Sequence, residues 1–125
     1  MEAEKIAEIC AAFVNSGIDE SDIGVITPFR NQAALIRRYM ADYPGIEVKT
    51  IDKYQGSEKD VIVISFSQSR SGILPILQDE RRLNVAVTRA KKKLVVVGNL
   101  RTLRKSRFIE KLIDWIGERG RIVRV

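Results

Sequence analysis

Val61-Ile62-Val63-Ile64-Ser65-Phe66 is an almost unbroken β-branched run, and it restricts the fold more than any other stretch of the chain. A strand with one wet face alternates apolar and polar side chains, whereas a strand without alternation is covered on both faces. Leu94-Val95-Val96-Val97-Gly98 reads the same way. Two such strands need a layer on each side of their sheet, and helical spacings elsewhere supply it. Ile6, Ile9, Cys10, Phe13 and Val14 recur at helical intervals, with Gly17 placed to stop that helix. A second helix is expected over 31–41, with Ala34, Leu35, Ile36 and Met40 available for burial and Pro44-Gly45 as its breaker.

The remaining elements complete an alternation. Asp22 to Thr27, with Ile23-Gly24-Val25-Ile26 at its centre, is a short strand stopped by Pro28, and Glu47 to Ile51 is another. Ser67 to Gln78 reads as a loop, and Ser106 can cap a last helix in which Phe108, Ile109, Leu112, Ile113 and Ile116 face inward. Ile122 to Val125 is expected as an edge strand. Strand and helix alternate throughout, so the fold class is α/β: a mostly parallel sheet with helices on both faces. The 125 residues are the size of one domain with a real core. Ligands of such sheets gather at the carboxyl ends of the strands, which directs attention to 27–30, 50–58, 67–70 and 98–99.

Charge narrows the partners. The net charge is +6, but six acids and one lysine in the first 22 residues give −5, leaving +11 on the remainder. A segregated basic surface suits a polyanion, nucleic acid or nucleotide, with the acidic N-terminal segment turned away from it. There is no histidine and a single cysteine, Cys10. Zinc sites and histidine acid–base catalysis are thereby excluded for these residues alone, and no metal ligand is expected. No apolar run reaches the ~20 residues that cross a bilayer, and no signal-peptide pattern opens the chain, so a cytoplasmic or nuclear setting without a membrane partner is expected.

Arg81 to Lys91 carries the most chemistry. Read as a helix, it aligns Leu83, Ala86, Val87 and Ala90 on one apolar stripe and puts Arg82 and Arg89 about 10 Å apart on one flank. Short side chains keep such a helix close to its neighbours, where a braced guanidinium can grip phosphate or carboxylate; a solvated surface helix is the plain alternative. Lys91-Lys92-Lys93 would then be either phosphate contacts or, as we prefer, cations at a helix C-terminus. Gln55-Gly56 allows a tight turn with exposed amides, and Glu58 offers a carboxylate to a ribose hydroxyl, although charged glycine turns are commonly just solvated loops. Tyr54 and Trp115 are possible stacking platforms, with the core margin preferred for Trp115. No phosphate-binding loop of the G-x-x-x-x-G-K-[ST] type occurs, so nucleotide chemistry must be shared with another module.

Three blocks together resemble the later motifs of superfamily 1 helicases: Ile26-Thr27-Pro28-Phe29-Arg30-Asn31-Gln32, Thr50-Ile51-Asp52-Lys53-Tyr54-Gln55-Gly56-Ser57-Glu58-Lys59-Asp60, and Arg81-Arg82-Leu83-Asn84-Val85-Ala86-Val87-Thr88-Arg89-Ala90. The branch is that of the nonsense-mediated-decay RNA helicase, senataxin and the DNA replication helicase-nuclease, and the Asp-Lys-Tyr-Gln-Gly spelling is most similar to the last. The resemblance implies a RecA-like (P-loop NTPase-like) second motor domain over 1–125, a segment of a longer protein. Its first RecA-like domain would hold ATP and Mg2+, and single-stranded nucleic acid, DNA in preference to RNA, would be the track. By the same resemblance Arg89 is the arginine that reaches the γ-phosphate and Arg82 braces the cleft. Gln55, Gly56 and Glu58 contact the nucleotide, and Thr27, Pro28 and Thr50 face the nucleic-acid backbone. The family moves 5′ to 3′. The phosphate loop, the magnesium-binding acids and the Tyr-Arg segment that precede this domain in the family are not among these residues, and no nuclease motif is seen. A non-catalytic basic nucleic-acid-binding module is the alternative; a receiver-like signalling domain would want an acidic cluster at strand ends, and the acids are not grouped that way.

Overall fold

The computed structural model describes residues 2–27, 29–54, 58–65, 80–98 and 121–124. Five strands form one sheet in the order β2-β1-β3-β4-β5: β1 (Ile23–Thr27), β2 (Glu47–Thr50), β3 (Lys59–Ser65), β4 (Ala90–Gly98) and β5 (Arg121–Arg124). Every pairing is parallel. The helices are α1 (Glu2–Asn15), α2 (Arg30–Tyr39) and α3 (Glu80–Val87). The expected helix after Ser106 and the loop 67–78 lie outside the described residues.

The two β-branched runs occupy the middle of the sheet and are buried on both faces as expected. Val61, Val63, Val95 and Val97 join Ile23, Val25 and Val48 under α1 and α2, where Ile6, Cys10, Ala33, Ile36 and Met40 close one core layer. Strand side chains alternate, so Ile26, Ile62, Ile64 and Val96 turn to the other face, which α3 approaches with Ala86 buried. In α2 the buried pair is Ala33 and Ile36, with Leu35 half-buried, and the expected inward position Ala34 is exposed. The helix starts one residue earlier than the periodicity indicates, and its inward stripe runs Ala33, Ile36 and then Met40 just past its end.

Gly17 ends α1 as predicted. Its φ is +105°, its amide donates to Val14 O at 3.0 Å and the Ile18 amide donates to Phe13 O at 3.2 Å. These two bonds form the left-handed helix stop that glycine adopts without a Cβ penalty.

Among the described residues the alternation of strand and helix breaks between β2 and β3. No α-helix joins β2 to β3: a 3₁₀ turn over Ile51–Tyr54 begins the connection, and residues 51–58 carry the chain from the carboxyl end of one strand to the amino end of the next. Ile51 is buried in that turn rather than extending β2. β3 is seven residues long, so the two ends of the sheet stand about 20 Å apart.

Ion pairs fasten the amino end. Glu47 meets Lys49 Nζ at 3.1 Å and Lys59 Nζ at 3.4 Å, and Lys59 also donates to Ser21 O at 2.9 Å. The hydrogen bond from Lys49 is the main reason the Glu47 carboxyl is held below its ordinary value of 4.5, with the charges of Lys59 and Lys49 adding to it against partial desolvation. A carboxyl depressed in the folded state contributes stability above its unfolded pKa and loses it as pH falls through the folded value. Glu47→Gln should therefore flatten the acid limb of the stability curve below about pH 4.5, by at most ~1 kcal/mol because solvent screens the pair. Urea midpoints measured from pH 3 to 7 check this; an unchanged acid limb would show the pairs to be stability-neutral.

Candidate functional site

α3 is shorter than its sequence pattern. It ends at Val87, and Arg89 lies in the turn between it and β4, so Arg82 and Arg89 do not share one helical flank. The stop is built from local bonds. Thr88 Oγ1 donates to Val85 O at 3.0 Å, the Arg89 amide donates to Ala86 O at 3.2 Å, and Arg89 Nε donates to the same Val85 carbonyl at 3.0 Å. A threonine that bonds its own helix competes with helical continuation, and the β-branched run beyond is captured by the sheet. Lys91, Lys92 and Lys93 are accordingly strand residues, not cations at a helix end. Lys92 reaches Asp60 at 3.6 Å, and Lys93 lies over the Phe13 ring at 5.5 Å.

This shortening places Arg89 more firmly than the helix would. Its Nη2 donates to Thr88 Oγ1 at 3.3 Å, and its own carbonyl accepts the Lys59 amide at 2.9 Å. Arg89 is thus half-buried and tied at backbone level to the residue that follows Glu58. Glu58 is exposed, just before β3. Both sit at the amino end of the sheet, so the rule that ligands gather at carboxyl ends misplaces Glu58. The chain leaves β2 at one end and must return to the other to start a parallel strand. Gln55 and Gly56 lie on that return, outside the described residues, as does the side chain of Arg82.

The carboxyl end holds the other group. Thr27 and Thr50 are register partners at the last rungs of β1 and β2, and both continue the strand faces of Val25 and Val48 that meet α1 and α2. Thr50 is half-exposed. Thr27 is 0% exposed, so its side chain offers no surface for direct contact, and its Oγ1 has no hydrogen-bond partner among the described residues. Pro28 lies outside the described residues. Arg30, Arg37 and Lys53 join Thr50 there, a basic group the motif reading passed over although the +11 imbalance pointed to it. The acidic Glu20 and Asp22 precede β1, at the opposite end. Among the described residues no three of His, Cys, Asp and Glu come together as a metal site, and no helix is long and apolar enough to cross a membrane.

An all-parallel sheet covered on both faces, with Arg89 tethered before β4 and Glu58 just before β3 at one end and threonines beside cations at the other, is a RecA-like α/β domain. The family model described as AAA domain matches residues 1–101, and the chain belongs to that family. The DNA replication ATP-dependent helicase/nuclease JHS1 of Arabidopsis thaliana is 46% identical over 127 residues, covering 98% of this chain and 10% of that protein. The human DNA replication ATP-dependent helicase/nuclease DNA2 is 39% identical over 125 residues, 98% of this chain and 12% of its own length. The mouse DNA-binding protein SMUBP-2 is 36% identical over 113 residues, 89% of this chain and 11% of its own length. These relatives bear out the superfamily 1 helicase resemblance, and the chain spans about a tenth of their length.

Proposed function

We propose that this chain is the second motor domain of an ATP-dependent superfamily 1 helicase acting inside the cell on single-stranded DNA, with 5′ to 3′ movement. The observation that supports it most is the Lys59 to Arg89 backbone bond, which holds the turn carrying Arg89 against the start of β3, one residue after Glu58 and about 20 Å from Thr50. ATP with Mg2+, held by the first RecA-like domain, supplies the phosphoryl group that passes to water. Glu58 accepts hydrogen bonds from the ribose, and Gln55 and Gly56 line the phosphates. Arg89 sets a permanent positive charge against the γ-phosphate, and Arg82 braces the same cleft. Thr50 donates to the nucleic-acid backbone, buried Thr27 supports that contact from its neighbouring rung, and Pro28 belongs to the same nucleic-acid-binding group.

The sheet makes one rigid body of both ends. Closing the cleft on ATP therefore moves the nucleic-acid grip, and opening after phosphate loss moves it back. A protein carrying this chain and its first motor domain should hydrolyse ATP faster with single-stranded DNA than without, and the 125 residues alone should hydrolyse none. ATPase assays with and without an oligodeoxynucleotide test this, and absence of stimulation would reject the motor reading. Strand displacement from substrates with a 5′ or a 3′ tail tests the polarity.

A further inference from the structure

The first two residues of β3 stand outside the body of the sheet. β1 joins β3 only from the rung of Ile23 with Val61, so Lys59 and Asp60 project past its start, toward the 3₁₀ turn over Glu20–Asp22. On the other side the ladder to β4 is interrupted. Lys59 pairs with Ala90 and Val61 with Lys93, so Asp60 alone faces both Lys91 and Lys92. A bulge of this kind bends its strand and disrupts pairing, and bulges collect beside active sites. The rung that binds the Arg89 carbonyl is thereby set apart from the continuous ladder that begins at Val61.

The Lys59 side chain ties this tip back to the domain. Its Nζ donates to Ser21 O at 2.9 Å and to Glu47 Oε1 at 3.4 Å, so one ammonium spans the mouth of β1 from β3 to β2. Only 16% of that side chain is exposed, whereas Lys92, which reaches Asp60 across the bulge at 3.6 Å, is 76% exposed. A shielded ammonium on a main-chain oxygen and a carboxylate holds its geometry; a solvated pair holds almost none.

Both residues read as facing ATP hang on this tip. Glu58 directly precedes Lys59, and Arg89 is joined to it by the bond from the Lys59 amide to the Arg89 carbonyl at 2.9 Å. A displacement of about an ångström is enough to cost much of a group's effect on rate.

We infer that Lys59 is a positioning residue for the nucleotide: its ammonium fixes the strand tip that sets the Glu58 carboxylate against the ribose and the Arg89 guanidinium against the γ-phosphate. The inference rests on the helicase reading and adds to it a residue that touches no nucleotide. Ribose recognition and turnover share this one anchor, so they weaken together when it is lost.

The test is hydrolysis of ATP and of 2′,3′-dideoxy-ATP, with single-stranded DNA present, by the whole protein that carries these residues. Lys59→Met keeps the stem and removes the ammonium, so it should lower kcat about tenfold and narrow the preference for ATP over the dideoxy analogue by a similar factor. Lys59→Arg retains a cation that can reach Ser21 O and Glu47, and it should recover most of both. Lys92→Met, at the same bulge, should stay within about twofold of the parent. In an Arg89→Ala background Lys59→Met should slow turnover no further while still narrowing the preference, because its effect on rate passes through that guanidinium. Should Lys59→Met melt too low to assay, Glu47→Gln, which weakens one partner of the ammonium, should move both readings the same way by about threefold. Unchanged kcat and preference, a change in one without the other, or an equal loss in Lys92→Met would overturn the inference and leave the helicase reading standing. A further fall on top of Arg89→Ala would overturn it too, since Lys59 would then act on the rate by another route. A parent that treats the two nucleotides alike would remove the ribose contact, and the inference with it, while sparing the motor. A parent that hydrolyses no ATP would overturn both readings.

Discussion

Arg89→Ala, made in a protein that carries both motor domains, is expected to lower ATPase turnover about 10³-fold while ATP affinity changes little. A guanidinium aimed at charge that develops only in the transition state lowers the barrier without tightening the ground state. A factor of 10³ is about 4 kcal/mol, within reach of one well-held cation in a closed, water-poor cleft. The holding is visible in the fold: Nε on the Val85 carbonyl, Nη2 on the Thr88 hydroxyl, and the main chain bonded to Lys59 at the start of a central strand. Arg89→Lys keeps the charge but has no Nε donor and no planar fork, so it should recover little of the rate. Single-turnover hydrolysis and fluorescent-nucleotide binding, measured on the same preparations, separate the two effects. Undiminished turnover in Arg89→Ala would remove the arginine from the chemistry. A loss confined to ATP affinity would make it a ground-state phosphate ligand.

The sheet was legible in the residues because doubly buried strands leave an unmistakable mark: Val61 to Ser65 and Leu94 to Gly98 contain almost nothing that water could solvate. Gly17 was legible for the same kind of reason, since a glycine after a helical stripe is the cheapest left-handed stop. The end of α3 was hidden. Leu83, Ala86, Val87 and Ala90 keep helical spacing across Thr88 and Arg89, and only the side-chain bonds to Val85 O and the pull of the sheet on the next residues end the helix earlier. Periodicity reports which residues prefer burial; it does not report which of two burial schemes wins the backbone. Glu58 was placed at the wrong end for a topological reason. A connection without a helix looks like a loop at one end of the sheet, yet between two parallel strands, here β2 and β3 on either side of β1, it has to traverse the whole strand length. Arg30 and Lys53 stand 23 residues apart in the sequence, and only the fold of β1, α2 and β2 brings them to one wall.

Ile64→Ala should cost about 2–5 kcal/mol, a large part of the 5–15 kcal/mol that stabilises a typical domain. Ile64 has no exposed surface, and its register partners are Ile26 on β1 and Val96 on β4, both buried. Neighbours fixed in the sheet ladder can do little to fill the space that three lost carbons leave, so a cavity adds to the lost transfer energy. Ile64→Val, which removes one carbon, should cost only about 0.5–1.5 kcal/mol. The chain has its own reporter in Cys10, buried in the opposite layer with its thiol pushed up to about 12 by that burial, so it reacts only when the core opens. Thiol labelling in the fast-closing regime should accelerate roughly 30- to 5,000-fold in Ile64→Ala, in step with a lower urea midpoint. Agreement of the two would mean that both layers of the sheet open together, as a body that transmits motion between Arg89 and Thr50 must. Faster labelling with an unchanged urea midpoint would mean that α1 lifts off alone, and the sheet would then not carry force between its two ends as one unit.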